Sequence, residues 1–137
     1  MPIFSKKSLD RLATCHIDLQ NLFLTVVKYW DCTILEGARG EADQNAAFDR
    51  GASKLRYPMG RHNKTPSMAV DVAPWRMPEW NKNADFYYFG GFVMGVAAML
   101  RERRIISHDI IYGADWNCNQ RISDEKFIDA VHFEIKE

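Results

Sequence analysis

The stretch Met68-Ala69-Val70-Asp71-Val72-Ala73 constrains this chain more than any other. It is apolar, short and bounded by polar and proline-containing segments, so it reads as a buried strand. Its one charged residue, Asp71, sits in the middle. A buried carboxylate is costly unless it is paired or bound to a cation. Whatever fold this sequence adopts must therefore bring positive charge or hydrogen-bond donors to Asp71.

Two other places supply candidates. His62 precedes Asp71 across the polar segment 62–67, which a loop can fold back beside the strand. Near the other end, Asp129-Ala130-Val131-His132-Phe133-Glu134 sets acids and a histidine among strand-forming residues. Strand alternation sends His132 and Glu134 to one face and Val131, Phe133 and Ile135 to the other. Two histidines and a carboxylate form a catalytic-type zinc site with a fourth position open. His62, Asp71 and His132 are thus the expected Zn²⁺ ligands. A lone histidine is more often a surface or satisfied core group, and His16 and His108 are read that way, His108 as a connector residue.

Asp129 lies three residues before His132, an offset that points to opposite faces of a regular strand. For both to reach one metal, the strand must begin after Asp129 or carry a bulge. A carboxylate beside the metal but off it suits a general base, which takes a proton from the attacking water and returns it to the leaving amine. The exposed-acid alternative fits Asp124 and Glu125 better. Arg39 follows a glycine turn and can present a fixed guanidinium to a substrate carboxylate or an oxyanion. The sequence leaves that role open against a plain loop arginine.

The 137 residues suffice for one domain with its own core, and no repeat, linker or second domain is evident. Lys plus Arg and Asp plus Glu balance at 18 each, so nothing global points to nucleic acid or an acidic membrane surface. The cluster Arg101-Glu102-Arg103-Arg104 reads as the polar end of a helix. Cys15, Cys32 and Cys118 are too few and too scattered for a disulfide framework and are expected to be free thiols. The N-terminus lacks the apolar centre of a signal peptide, and no apolar run reaches membrane-spanning length. The expectation is a soluble cytoplasmic product without stable membrane insertion, and a monomer.

Helical spacing of Leu9, Leu12, Leu19, Leu22, Phe23, Val26 and Trp30 predicts one helix or two consecutive ones over 8–30, with Ser8 as N-cap. A strand at 32–35, a helix over 41–50 stopped by Gly51, and a long polar loop over 52–66 follow. After strand 68–73 come a helix over 84–103, whose Gly90, Gly91 and Gly95 allow close packing, strand 110–113, a polar loop over 114–123 and strand 130–135. Asp115, Asn117, Asn119, Asp124 and Glu125 are oxygen-rich but lack EF-hand spacing, so they read as a solvated loop rather than a Ca²⁺ site. The pattern is α+β, helices packed on a small sheet whose strands pair mostly in sequence order.

Four spaced motifs carry a resemblance. Residues 60–71 and 129–134 are similar to the S-x-H-loop-A-x-D and D/E-x-x-H-x-E/H segments of the zinc peptidases that cleave peptidoglycan peptides. These are the D-alanyl-D-alanine carboxypeptidase and L-alanyl-D-glutamate peptidase group, and above all its phage endolysins. Glu36-Gly37-Ala38-Arg39 with Gln44, and Gly113-Ala114-Asp115-Trp116-Asn117, also match. The chain departs in having Gly60 where a serine is common and in a longer gap between His62 and Asp71.

The resemblance implies a hedgehog/D-Ala-D-Ala-peptidase-like fold with a mainly antiparallel sheet. It also implies Zn²⁺ on His62, Asp71 and His132, Asp129 as base, and Arg39 as substrate or oxyanion contact. The implied activity is hydrolysis of the L-alanyl–D-glutamate bond of the peptidoglycan stem peptide. The implied setting is phage lysis, with the enzyme held in the host cytoplasm until a membrane pore lets it reach the wall. The alternatives are a D-alanyl-D-alanine carboxypeptidase or dipeptidase, and a catalytically silent metal-containing wall-binding module.

Overall fold

A computed structural model describes residues 1–137. The chain runs α1 (Lys6–Leu12), α2 (Ile17–Val26), β1 (Cys32–Glu36), α3 (Glu41–Asp49), β2 (Ala69–Pro74), α4 (Asn83–Glu102), β3 (Ile110–Tyr112) and β4 (His132–Ile135). A 3₁₀ turn covers Arg61–Asn63. The four strands form one antiparallel sheet in the order β1-β2-β4-β3. The last strand is thus inserted between β2 and β3 rather than added at an edge. That makes β2 and β4 the interior strands, the two that carry Asp71 and His132.

One face of the sheet packs on α2 and α4. Phe23 and Val26 from α2, Phe89 and Val93 from α4, and Val70, Val72, Phe133 and Ile135 from the interior strands are buried in one cluster. Removing each such side chain from water is worth about 1.5–3 kcal/mol, which is the main force holding the layers together. Alternation then leaves Ala69, Asp71 and Ala73 of β2, with His132 and Glu134 of β4, on the opposite face. Val131, just ahead of β4, joins a small separate cluster with Ala73 and Phe86.

Local chemistry differs from expectation in three places. Ser5, not Ser8, caps α1: its hydroxyl accepts from the Ser8 N–H at 3.2 Å. The Ser8 hydroxyl instead accepts from the Ile34 N–H at 3.1 Å and ties α1 to β1. In α4, only Gly90 supports close packing. A Cβ there would collide with the ring of Tyr112, whereas Gly91 and Gly95 face open space. The Tyr112 hydroxyl donates to Phe86 O or Ala130 O, at 3.1 and 2.8 Å, and so links α4 to the approach to β4. The predicted 52–66 loop contains the 3₁₀ turn that carries His62.

All three cysteines are free. Burial pushes the Cys15 thiol up to about 11 and the Cys32 thiol up to about 12, so both stay protonated and unreactive. No helix is long and apolar enough to cross a membrane.

Candidate active site

Sheet register builds the first half of the site. Asp71 lies opposite His132 on β4 and, across the β1 irregularity, opposite Glu36. The second half comes from the loop. Arg61 O accepts from Met68 N at 3.1 Å, and His62 O accepts from Arg39 N at 2.8 Å, which pins the 3₁₀ turn over the strand. His62, Asp71 and His132 are all buried and converge.

Their facing atoms form a nearly equilateral triangle. His62 Nε2 is 3.3 Å from His132 Nδ1 and 3.3 Å from Asp71 Oδ1, and His132 Nδ1 is 3.2 Å from the same oxygen. Three ligands of a tetrahedral zinc, with bonds of about 2.0–2.1 Å, are spaced by roughly 3.3–3.4 Å. The far ring nitrogens are already engaged. His62 Nδ1 donates to Gly37 O at 2.7 Å, and His132 Nε2 donates to Glu134 Oε1 at 2.8 Å. In neutral rings these bonds fix the tautomers and leave both lone pairs aimed at Asp71. Three acceptors that close need a cation among them or an added proton. The donor set, spacing and tautomers all fit Zn²⁺.

Without a metal, the site holds a proton. Burial alone would lower the His132 pKa, but the Asp71 and Glu134 carboxylates outweigh it and push it up to about 10. Burial alone would raise the Asp71 pKa, but the His62 and His132 rings hold it far below the ordinary carboxylate range.

Arg39 is not a free loop arginine. Its Nε and Nη2 grip Glu36 at 2.7 and 3.0 Å, Nη1 donates to Gln44 Oε1 at 3.0 Å, and Nη2 lies 3.5 Å from Asp71 Oδ2. Glu36 and Asp71 face each other across β1 and β2, an arrangement that repels, and the Arg39 guanidinium, in contact with both, offsets part of that repulsion. Of its five N–H groups, four are committed by these contacts and one on Nη1 remains. Burial would lower its pKa, but the bond to Glu36 and the nearby carboxylates raise it.

Asp129 precedes the first residue of β4, the first of the two arrangements that would let it reach the same point as His132. The His132 N–H donates to Asp129 O at 3.1 Å, closing a turn that swings the Asp129 carboxylate to 3.9 Å from His132 Nδ1. Gly113 fits beneath this turn: a Cβ there would collide with Asp129 O and press on His132 Cβ. Burial first, then the negative charge of Asp71, raises the Asp129 pKa to about 6.

A cavity of about 400 Å³ opens over the site, and Arg39, Asp129, His132 and Glu134 line it. Sequence reasoning named Glu36 and Gln44 only within a resembling motif and gave neither a role. Glu36 orients Arg39. Gln44 bridges Arg39 to the loop beyond α3, donating to Ser53 Oγ at 2.9 Å and Leu55 O at 2.6 Å. A Cβ at Gly60 would press on the side-chain ends of Asn63 and Gln44. The oxygen-rich loop satisfies itself: Asp115 accepts from Asn119 N and Gln120 N at 3.1 and 2.9 Å, and Asp124 accepts from Asn117 and Asn119.

Comparison with known proteins follows the same direction. A family model described as phage L-alanyl-D-glutamate peptidase matches residues 2–136. Among solved structures, the L-Ala D-Glu endopeptidase ChiX of Serratia marcescens superposes with a TM-score of 0.64 at 23% identity. The match covers 97% of this chain and 89% of that one, and at that identity the likeness is one of fold. No curated protein matches the sequence.

Proposed function

The chain belongs to the phage L-alanyl-D-glutamate peptidase family, a group of peptidoglycan endopeptidases, and we propose that it does its chemistry with one Zn²⁺ held by His62, Asp71 and His132. The observation that carries this reading is the triangle of facing ligand atoms, 3.2–3.3 Å on each edge, with both outer ring nitrogens engaged by Gly37 and Glu134. Bound there, Zn²⁺ supplies Lewis-acid activation of water and of the scissile carbonyl.

The remaining roles fall to the chain's own groups. Asp129, with a pKa raised to about 6, takes the proton from the attacking water and hands it to the nitrogen of the leaving D-glutamyl residue. Glu134 holds the His132 ring in the tautomer that turns Nδ1 inward. Arg39, clamped by Glu36, lies beside Asp71 and offers its last N–H to the oxygen that gains charge in the transition state. The substrate is the stem peptide of peptidoglycan, the working unit is a monomer, and the setting is host lysis from the cytoplasmic side of the wall.

Incubation of purified protein with muropeptides tests this reading by mass spectrometry. Cleavage should expose a new amino group on D-glutamate, stop on chelation and return on adding zinc. Release of D-alanine instead, or full turnover in metal-free protein verified by elemental analysis, contradicts it.

A further inference from the structure

The cavity over the site is lined by three cations, and two of them are already spent. Arg39 is paired with Glu36 and Asp71, as described. Arg61 lies 3.4 Å from Glu134 and 2.6 Å from Glu137, and it donates to Ile135 O at 2.6 Å. The third, Lys54, pairs with no carboxylate. Its ammonium stands 4.9 Å over the ring of Phe127. Phe127 stacks on Trp116, and the Trp116 ring lies 5.3 Å from that of His132. This line of rings leads from the Lys54 amine to the candidate metal ligands. The loop that carries Lys54 is also anchored: Gln44, itself bound to Arg39, holds Ser53 and Leu55 on either side of it.

The substrate supplies the missing charge. Glutamate has two carboxyl groups, and one peptide linkage onward uses only one. The residue that gives up its nitrogen at the scissile bond therefore carries a second, free carboxylate close to the bond being cut. Entering a cavity already lined by Asp129 and Glu134, that carboxylate meets like charge unless a cation receives it. We propose that Lys54 is the specificity residue that binds the free carboxylate of the D-glutamyl residue on the leaving side of the scissile bond. The proposal rests on reading this cavity as the peptidase site. A cation held over an aromatic ring rather than by a protein carboxylate gives up little on taking a substrate carboxylate. Its compact, mobile ammonium suits a partner that must bind and then leave with the product.

The test uses the zinc-loaded protein and two synthetic peptides. They are identical except that one has the free D-glutamyl carboxylate and the other a carboxamide in its place. The wild-type protein should prefer the carboxylate by about 10-fold in kcat/KM. That is the low end for a charge-assisted hydrogen bond at a wet site. The preference should lie in KM and shrink as salt is raised. In Lys54→Met the ratio should fall to near one, and Lys54→Arg should restore most of it. An unchanged ratio in Lys54→Met, or a wild-type ratio near one, overturns the assignment of Lys54 while leaving the peptidase reading intact. Cleavage of neither peptide by the wild-type protein overturns both.

Discussion

The molecule contains two groups of two histidines and one aspartate close enough to share an ion, and their proton bookkeeping is opposite. In His62, Asp71 and His132, the outer ring nitrogens donate to Gly37 and Glu134, so in neutral rings the nitrogens that face the carboxylate carry lone pairs and need a cation or an added proton among them. In His16, Asp18 and His108, donors already meet acceptors. Asp18 Oδ2 accepts from Ser107 N, His108 N and His108 Nδ1 at 3.0, 3.0 and 2.8 Å, and from the Ser107 hydroxyl at 3.3 Å. His16 Nδ1 is spent as the cap of α2, accepting from Asp18 N at 3.0 Å. The first group is arranged to share a cation. The second is a finished knot that ties the segment before β3 to the start of α2. Residue types and proximity are the same in both, so what sets the first group apart as the candidate metal site is where the second nitrogen of each of its histidines is committed.

The contrast is broken most severely by removing a ligand. His132→Ala and Asp71→Ala should each lose bound zinc and all measurable muropeptide cleavage. His16→Ala and His108→Ala should keep one zinc per chain by elemental analysis. Retention of zinc in His132→Ala together with its loss in His108→Ala would reverse the two assignments.

Next in size is Asp129→Asn. It should keep zinc and fold, yet turn over ~10²–10⁴-fold more slowly, the usual worth of a positioned acid–base group. Because the base must be ionised, wild-type kcat/KM should fall as pH drops. The limb should lie at or below pH 6, since Asp129 sits at about 6 without metal and a neighbouring cation favours the carboxylate. A limb that survives unchanged in Asp129→Asn would assign it to another group.

Glu134→Gln sharpens the comparison, because it weakens the outer bond that sets the His132 tautomer. Zinc affinity should fall about 10–100-fold, with activity recovered at high zinc. Asp129→Asn should show no such rescue. Zinc uptake should also release protons near neutral pH, since His132 is held at about 10 in the metal-free protein. Calorimetry in buffers of different ionisation enthalpy measures that release, and its absence would argue against His132 as a ligand.

The smallest expected effect belongs to the finished knot. Asp18→Asn should leave zinc content and turnover unchanged while costing about 1–3 kcal/mol of stability, the range for buried hydrogen bonds to a charged acceptor. Burial alone would raise the Asp18 pKa, but the bonds from His108 and Ser107 outweigh it and lower it. Its folded value is thus below its unfolded one. The contribution is fully present above the unfolded carboxylate range and is lost as pH falls through the lowered folded value. Thermal melts from pH 7 to pH 3 should show a steeper acid decline in the wild type than in Asp18→Asn. Equal declines would mean that Asp18 adds nothing to folding.

Much of this was legible along the chain, because it depends on local period. Alternation assigned His132 and Glu134 to one face and Phe133 and Ile135 to the other, as β4 has them, whereas Val131, expected beside Phe133, lies ahead of the strand and packs with Ala73 and Phe86. The three-residue offset of Asp129 asked for a strand that begins after it or carries a bulge, and β4 begins after it. The apolar stripe over 8–30 allowed two helices, and His16 ends the first interval by capping the second. What escaped was non-local. The insertion of β4 between β2 and β3 is a matter of pairing that no single segment encodes. Glu36 and Lys54 gain meaning only beside Arg39 and Phe127, which the fold delivers. Ser5 outranked Ser8 as cap because Ser8 is turned inward to β1, a tertiary choice that propensity does not see.

The most direct test of the central claim is a zinc titration of metal-free protein followed through the ring nitrogens of all four histidines by ¹⁵N NMR. At one equivalent, His62 Nε2 and His132 Nδ1 should take up metal-bound shifts, with Asp129→Asn behaving the same way, while His16 and His108 stay as they were. Shifts that appear first at His16 and His108, or coordination of His132 through Nε2 in place of Nδ1, would contradict it.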